Sequence, residues 1–198
     1  MNARIRAILD APEAGMSLVE LLVYMILSVV VLGIAGNILI SSITAQRDLT
    51  NLADSTSISQ LVTSSVRSGI RNASAFQVDA PTTLGQLVRS RSVSTTTAGV
   101  STWKCRAWYL TNSGTFYQKT STSGMIAAPT VIGDLASWQM ITTGVTKPSG
   151  TTQAFTGSAG QVDLAIQVTN GSTKAVLSKT TILKRPQANT LTVPTTCF

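Results

Sequence analysis

Between Leu21 and Gln46 the chain carries no charged residue. A helix over Leu21–Ile40 alone would extend about 30 Å, the thickness of a bilayer's hydrocarbon core. One acidic residue, Glu20, opens this run. A carboxylate there costs roughly 3 kcal/mol when deep, less near the interface, and the encoded sequence offers no basic residue nearby to offset it. Beyond Ile40 the pattern changes. Ile43, Leu49, Leu52, Leu61, Val62, Val66 and Ile70 recur mostly at three- and four-residue steps and their multiples, with Arg47, Asp48, Asp54 and Arg67 between them. Such an amphipathic stripe is expected to lie against a folded domain. No proline occurs between Pro12 and Pro81, and Gly69 with Asn72 supplies a stop. One helix is therefore predicted from about Ser17 to about Gly69, roughly 80 Å if straight. Gly33, Gly36 and Asn37 are its weak point by helix propensity, or else a site of close helix packing in a membrane.

From Phe76 onward the pattern is that of strands and turns. "QVDLAIQVT" alternates, with Val162, Leu164, Ile166 and Val168 on one face, and Asn170-Gly171 followed by "STKAVLSKTTIL" predicts a hairpin return. "TWKCRAWYL", the turn Asn112-Ser113-Gly114 and "TFYQK" predict a second hairpin. "LVRSRSV" and "LASWQMITT" read as further strands, and the Ser/Thr/Gly-rich pieces near Thr95–Gly99, Thr120–Gly124 and Ser149–Gly160 as loops. The expected class is α+β, with a long N-terminal α-helix, part membrane-spanning and part amphipathic, packed on one C-terminal antiparallel β-sheet.

Composition narrows the function. Charged residues are 12 % of the chain, against about 25 % in an ordinary soluble domain. The mean hydropathy of +0.27 arises mostly from the N-terminal run. The net charge is +7 and the pI near 9.9, with basic residues scattered singly, the pattern of a solvated basic surface. There is no histidine, which removes Ser-His and Cys-His nucleophile arrangements and the usual zinc sites. The aspartates after Glu20 (Asp48, Asp54, Asp79, Asp134, Asp163) are spread singly, and no phosphate loop or dinucleotide fingerprint is present. No catalytic residue, cofactor or metal ligand is assigned, and the chain is not expected to be an enzyme.

The two cysteines, Cys105 and Cys197, both follow the apolar run. With no other ligand type near them, a disulfide in an exported domain is the preferred reading over two separate buried thiols. The bridge would close a loop approaching 100 residues, for which chain entropy gives about 4–5 kcal/mol. Upstream, "MNARIRAILDAPEAG" lacks the apolar core of an ordinary secretory signal, and Arg4 and Arg6 are expected to hold it in the cytoplasm with the C-terminal part outside.

Gly15-Met16-Ser17-Leu18-Val19-Glu20, followed by the uncharged helix, closely resembles the N-terminal signature of type IV prepilins and of the pseudopilins of type II secretion. The likeness is strong in its motif over about residues 10–40 and architectural thereafter. It implies that a prepilin peptidase cuts between Gly15 and Met16 and N-methylates Met16. Phenylalanine is commoner than methionine after the cut, though methionine also fits. Glu20 would be the family's glutamate, fifth in the mature chain, pairing with the new Met16 amine of its own chain or a neighbour. The implied organisation is a leader over 1–15, a transmembrane and filament-core helix over 16–42, an amphipathic helix over 43–73 and an extracytoplasmic β-rich domain over 74–198.

"QLVTSSVRSGIRNASAF" and a sheet ending in "TILKRP" are similar to J-type minor pseudopilins and related minor pilins, so a minor subunit is the first expectation. The alternatives are a major pilin, a DNA-uptake pilin and a monomeric membrane-anchored adhesive or binding domain. The expected partners are the prepilin peptidase, other pilin or pseudopilin subunits, and membrane lipid before assembly. DNA is a lesser candidate, through Arg89, Arg91, Lys104, Arg106, Lys184 and Arg185. Trp103, Trp108 and Trp138 are expected in the core or half-buried in strands rather than on a binding surface.

Overall fold

A computed structural model describes residues 17–95, 101–122, 124–171, 175–185 and 197–198. It contains one long helix, α1 (Leu18–Arg71), close to the predicted span and uninterrupted through Gly33, Gly36 and Asn37. The chain divides into two compact units after Arg47.

In the second unit the strands form two antiparallel sheets rather than the one expected. The first is a meander of β1 (Ala75–Val78), β2 (Gly85–Thr95), β3 (Ser101–Thr111), β4 (Thr115–Ser121) and β5 (Gln139–Thr143), each paired with the next. The second is built on β8 (Gln161–Val168), whose whole length pairs with β9 (Val176–Leu183). The other edge of β8 is shared by β7 (Phe155–Ser158) and the two-residue β6 (Val145–Thr146). The α+β class stands as predicted.

Local chemistry explains most elements. The β3–β4 hairpin turns through Asn112-Ser113-Gly114, with Gly114 at φ +89°, where a side chain would be strained. Val162, Leu164, Ile166 and Val168 are buried on one face of β8, as the alternation requires. "LASWQMITT" departs from expectation. Ile132–Ser137 is a 3-10 helix and the strand begins only at Gln139. The Asp134 carboxylate accepts the backbone N–H of Thr130 (2.8 Å) and of Val131 (3.2 Å) and the Thr130 hydroxyl (3.1 Å), which closes that turn locally. These bonds hold its carboxyl below its ordinary pKa. The Ser149–Gly160 loop likewise contains β7, and β4 extends into Thr120–Ser121; of Thr95–Gly99 only Thr95, the last residue of β2, is among the described residues. Asn170-Gly171 is not a two-residue turn, because Val168 pairs with Val176 and leaves 169–175 between the strands. Asn170 instead reaches back to Asp54 on α1 (3.5 Å).

The core of this unit lies between α1 and the two sheets. Val62, Val66 and Ile70 of the predicted stripe meet Val88, Trp108 and Phe116 from the first sheet and Phe155, Leu164 and Ile166 from the second. At about 1.5–3 kcal/mol for each large apolar side chain fully buried, these residues supply much of the fold's driving force. The stripe's other members do not join them: Leu49, Leu52 and Leu61 are exposed, and small residues take their place, with Ser55 and Ser59 buried. Gly69, expected at the helix stop, lies inside α1, which runs on to Arg71. The Trp108 ring lies where its Cβ would be, so only a glycine lets the indole rest on the helix backbone. Trp108 Nε1 donates to Ser65 Oγ (2.9 Å), which donates onward to Gln118 Oε1 (2.8 Å).

The first sheet is covered on its other face too. Leu87, Cys105, Ala107 and Tyr109 pack there with Ile126, Leu135 and Trp138.

Candidate functional site

The N-terminal part of α1 is the most unusual surface among the described residues. Every large apolar side chain from Leu18 to Ile43 is at least 43 % exposed. A contiguous apolar surface of this extent exceeds what a soluble monomer normally presents and needs a lipid or protein covering. The helix is long and apolar enough to cross a membrane.

Glu20 sits in the first turn of this helix, where the Leu21 N–H bonds to the Ser17 carbonyl (3.1 Å). Backbone N–H groups are unpaired in a first turn, and a carboxylate there gains about 0.3–1 kcal/mol from the helix dipole. That is less than the roughly 3 kcal/mol for a deeply inserted charge, so the dipole alone does not justify the residue. One turn on, the Tyr24 hydroxyl donates to Glu20 Oε1 at 3.4 Å, a long contact from a donor that brings no counter-charge. Glu20 and Tyr24 stand at i, i+4, a spacing legible in the sequence that places both side chains on one face of the helix. Gly15 and Met16, the expected cleavage and methylation positions, lie outside the described residues. Space is open where a Cβ at Gly33 or Gly36 would stand, so neither glycine is required by packing within this chain.

Cys105 and Cys197 form a disulfide with Cα atoms 5.5 Å apart. Both are buried beside Tyr109, whose ring meets Trp138 at 6.1 Å in a tilted arrangement. Burial pushes the Tyr109 phenol above its ordinary pKa, an effect the Thr82 hydroxyl opposes in part. The bridge thus fastens the chain's end onto the outer face of the first sheet.

The basic residues considered for nucleic acid do not form one surface. Arg89 is corrected outright: its Nη2 lies 2.9 and 2.8 Å from the two Asp79 oxygens, and its Nη1 donates to the Ile126 carbonyl (3.3 Å) in a largely buried pair. Arg91 lies over the Trp103 ring at 4.6 Å. Its register partner is Cys105, so it belongs to the face of the disulfide. Lys104 and Arg106 pair with Ser92 and Ser90 and occupy the opposite face of the sheet. The three tryptophans are buried, as expected.

Gln86 was not foreseen. It is buried, and its amide bonds to the backbone of Ala154 and Phe155, joining the two sheets. Nothing in its flanking residues distinguishes it from a solvated strand glutamine. Among the described residues no three His, Cys, Asp or Glu side chains come together as a metal would require.

No family model, curated protein or solved structure matches this chain.

Proposed function

We propose that the chain is a structural subunit of a type IV pilus or type II secretion pseudopilus, entering the filament as a minor component. The carrying observation is the lone first-turn Glu20 at the head of an uncharged stretch of helix whose large apolar side chains up to Ile43 are all exposed. The same helix continues into a disulfide-bonded α+β unit. An exposed apolar helix of this kind has two favourable environments, a bilayer and a bundle of like helices. Transfer between them keeps its surface dry at roughly 25 cal/mol for each Å². Cleavage after Gly15 would create an amine on Met16 whose positive charge answers Glu20. The arginines of the leader orient the sheet-bearing part outside, where the Cys105–Cys197 bridge is stable.

The test is coexpression with a prepilin peptidase. Mass spectrometry is expected to find a chain beginning at N-methylated Met16, and Gly15→Val to block the cut by crowding the scissile backbone. An intact leader in the coexpressed wild-type chain would reject the proposal in favour of a simple membrane-anchored domain.

A further inference from the structure

β9 is the longest of the strands that end a sheet, with eight residues against five in β5 and four in β1. The Lys184 N–H bonds to the Gly160 carbonyl (2.8 Å), so the even-numbered residues of β9 turn their backbone groups to β8. Leu177, Lys179, Thr181 and Leu183 turn theirs outward, and among the described residues nothing pairs with them. Arg185, next in this outward series, gives its N–H to the Arg71 carbonyl at the end of α1 (3.2 Å). The helix thus closes one end of the edge and leaves the rest open. Long edges are commonly blunted by charges, proline or a bulge. β9 has one lysine, no proline and an unbroken register with β8.

An open groove of about 460 Å³ runs beside this edge. Five consecutive residues, Thr181 to Arg185, line one wall, so the backbone edge is presented as well as the side chains of one face. Arg67 and Arg71 form the other wall. A second hollow of about 330 Å³, lined in part by Thr63, Arg67 and Ser178, continues from it between helix and strand. The cations are held in place. The Arg67 guanidinium donates to Thr180 Oγ1 (3.1 Å) and Lys184 Nζ to the Ser74 carbonyl (2.8 Å). Among the described residues, none of Arg67, Arg71, Lys184 and Arg185 has a carboxylate within ion-pair distance. The helix dipole accounts for a cation in the last turn such as Arg71, but not for the two that follow β9.

We propose that the edge of β9 takes up an extended acidic segment of a partner protein as an added strand, whose carboxylates meet Arg67, Arg71, Lys184 and Arg185. The outward carbonyls need donors and the outward N–H groups need acceptors, and a peptide backbone supplies both. An anion without N–H groups would satisfy the cations and leave the carbonyls unmet. Guanidinium forks on the facing wall suit carboxylates. Every strand pairing in both sheets is antiparallel. An antiparallel addition places the first residues of the incoming segment beside Leu183 and Arg185, so its carboxylates belong at that end. β9 contains no acidic residue, so a second copy of the strand is not the complement.

The experiment uses the full chain in neutral-detergent micelles and a fluorescein-labelled synthetic peptide as long as β9. Glutamate alternates with valine in its first half, threonine with valine in its second, and binding is followed by fluorescence anisotropy. The wild-type chain is expected to bind it. Two further peptides are N-methylated, one on each set of alternate backbone nitrogens. The set facing β9 should lose at least about tenfold in affinity, and the other set no more than about threefold. Arg67→Gln with Arg71→Gln should weaken binding at least about tenfold. Lys119→Gln with Lys147→Gln removes the same charge elsewhere and should change it no more than about twofold. Thr181→Pro removes one outward N–H while sparing the bonds to β8, and should weaken binding at least about tenfold. Thr181→Val, which loses only the hydroxyl bonded to Asp163, should bind normally. Tryptophan fluorescence checks that each variant is folded, and the methylated peptides test strand addition on the unaltered protein should a variant unfold. Absence of binding, equal behaviour of the two methylated peptides, or equal loss in the remote lysine pair would overturn the proposal. So would a dimer, seen by light scattering, that Thr181→Pro dissolves, since the edge would then serve a second copy. No filament is needed, so failure here leaves the processing test untouched.

Discussion

The Gln86 side chain treats Phe155 as a neighbouring strand would. Its Nε2 donates to the Phe155 carbonyl at 2.7 Å, and its Oε1 accepts the Phe155 N–H at 3.0 Å and the Ala154 N–H at 2.9 Å. One glutamine on β2 thereby satisfies three buried backbone groups at the start of β7, where the edge of the second sheet meets the first. A hydrogen bond left unmade in such a place costs about 1–3 kcal/mol for each orphaned group.

Gln86→Leu should therefore destabilise the protein by about 3–6 kcal/mol, although it replaces a polar residue with an apolar one in a buried position. Gln86→Glu should also fail, since a carboxylate can accept the two N–H groups but repels the Phe155 carbonyl. Thermal unfolding of the detergent-solubilised chain, followed by tryptophan fluorescence, measures both. A leucine variant as stable as wild type would mean that water replaces the side chain and that the amide does not join the sheets.

Gly69 separates two physical effects of opposite sign. Helix propensity alone predicts that Gly69→Ala stabilises by about 1 kcal/mol. The Trp108 ring occupies the position of the new methyl group, and overpacking of this kind costs about 1–3 kcal/mol or more. A net loss is expected, together with a red-shifted tryptophan emission as the indole leaves Ser65. In a Trp108→Leu background the same substitution should become neutral or favourable, a coupling that a double-mutant cycle reads directly. Stabilisation in the wild-type background would contradict the packing described here.

Cys197→Ser should cost about 2–5 kcal/mol, the usual range for losing a native bridge. The residues bridged are 92 positions apart, so the constraint on the unfolded chain is large. Reductant added to the wild-type protein should lower its stability by a similar amount and leave the serine variant unmoved. Peptide mapping without reductant should recover Cys105 and Cys197 in one linked species, and two free thiols would refute the pairing.

The sequence disclosed what periodicity and special residues encode. The ends of α1, the Val62–Val66–Ile70 stripe, the inward face of β8 and the Cys105–Cys197 pair all follow from spacing or from residue type. The second sheet did not show, because β6 and β7 are short and lie within a Ser/Thr/Gly-rich stretch that lacks alternation. Ser55 and Ser59 were hidden for another reason: their burial follows from close approach of the helix to its neighbours, not from hydrophobicity. Arg89 and Gln86 show the same limit from the polar side, each held by a partner distant in sequence or by backbone. Glu20 was conspicuous from the start, since one charge beside an uncharged run is a local anomaly. The partner proposed for it was not, because an amine made by processing would be absent from the encoded chain.

The pairing proposed for Glu20 is decided by charge rather than size. Glu20→Ala should leave membrane insertion intact, since removing a carboxylate makes the segment more apolar. Cleavage after Gly15 should persist too, because the scissile bond lies several residues away. Entry into filaments should fail, as the Met16 amine would move into an apolar bundle without a counter-charge, at a cost of several kcal/mol. Glu20→Gln keeps the shape and can still accept from Tyr24, yet it cannot neutralise an amine, so it should fail nearly as badly. Tyr24→Phe supplies the contrast. It removes only the long 3.4 Å hydrogen bond to Glu20 and should assemble close to normally. Filament incorporation measured in shear fractions, beside a processing assay on the same cells, distinguishes these outcomes. Normal incorporation of the glutamine variant would show that the carboxylate's charge is dispensable. A defect confined to Tyr24→Phe would move the role of Glu20 from pairing an amine to ordering its own helix turn.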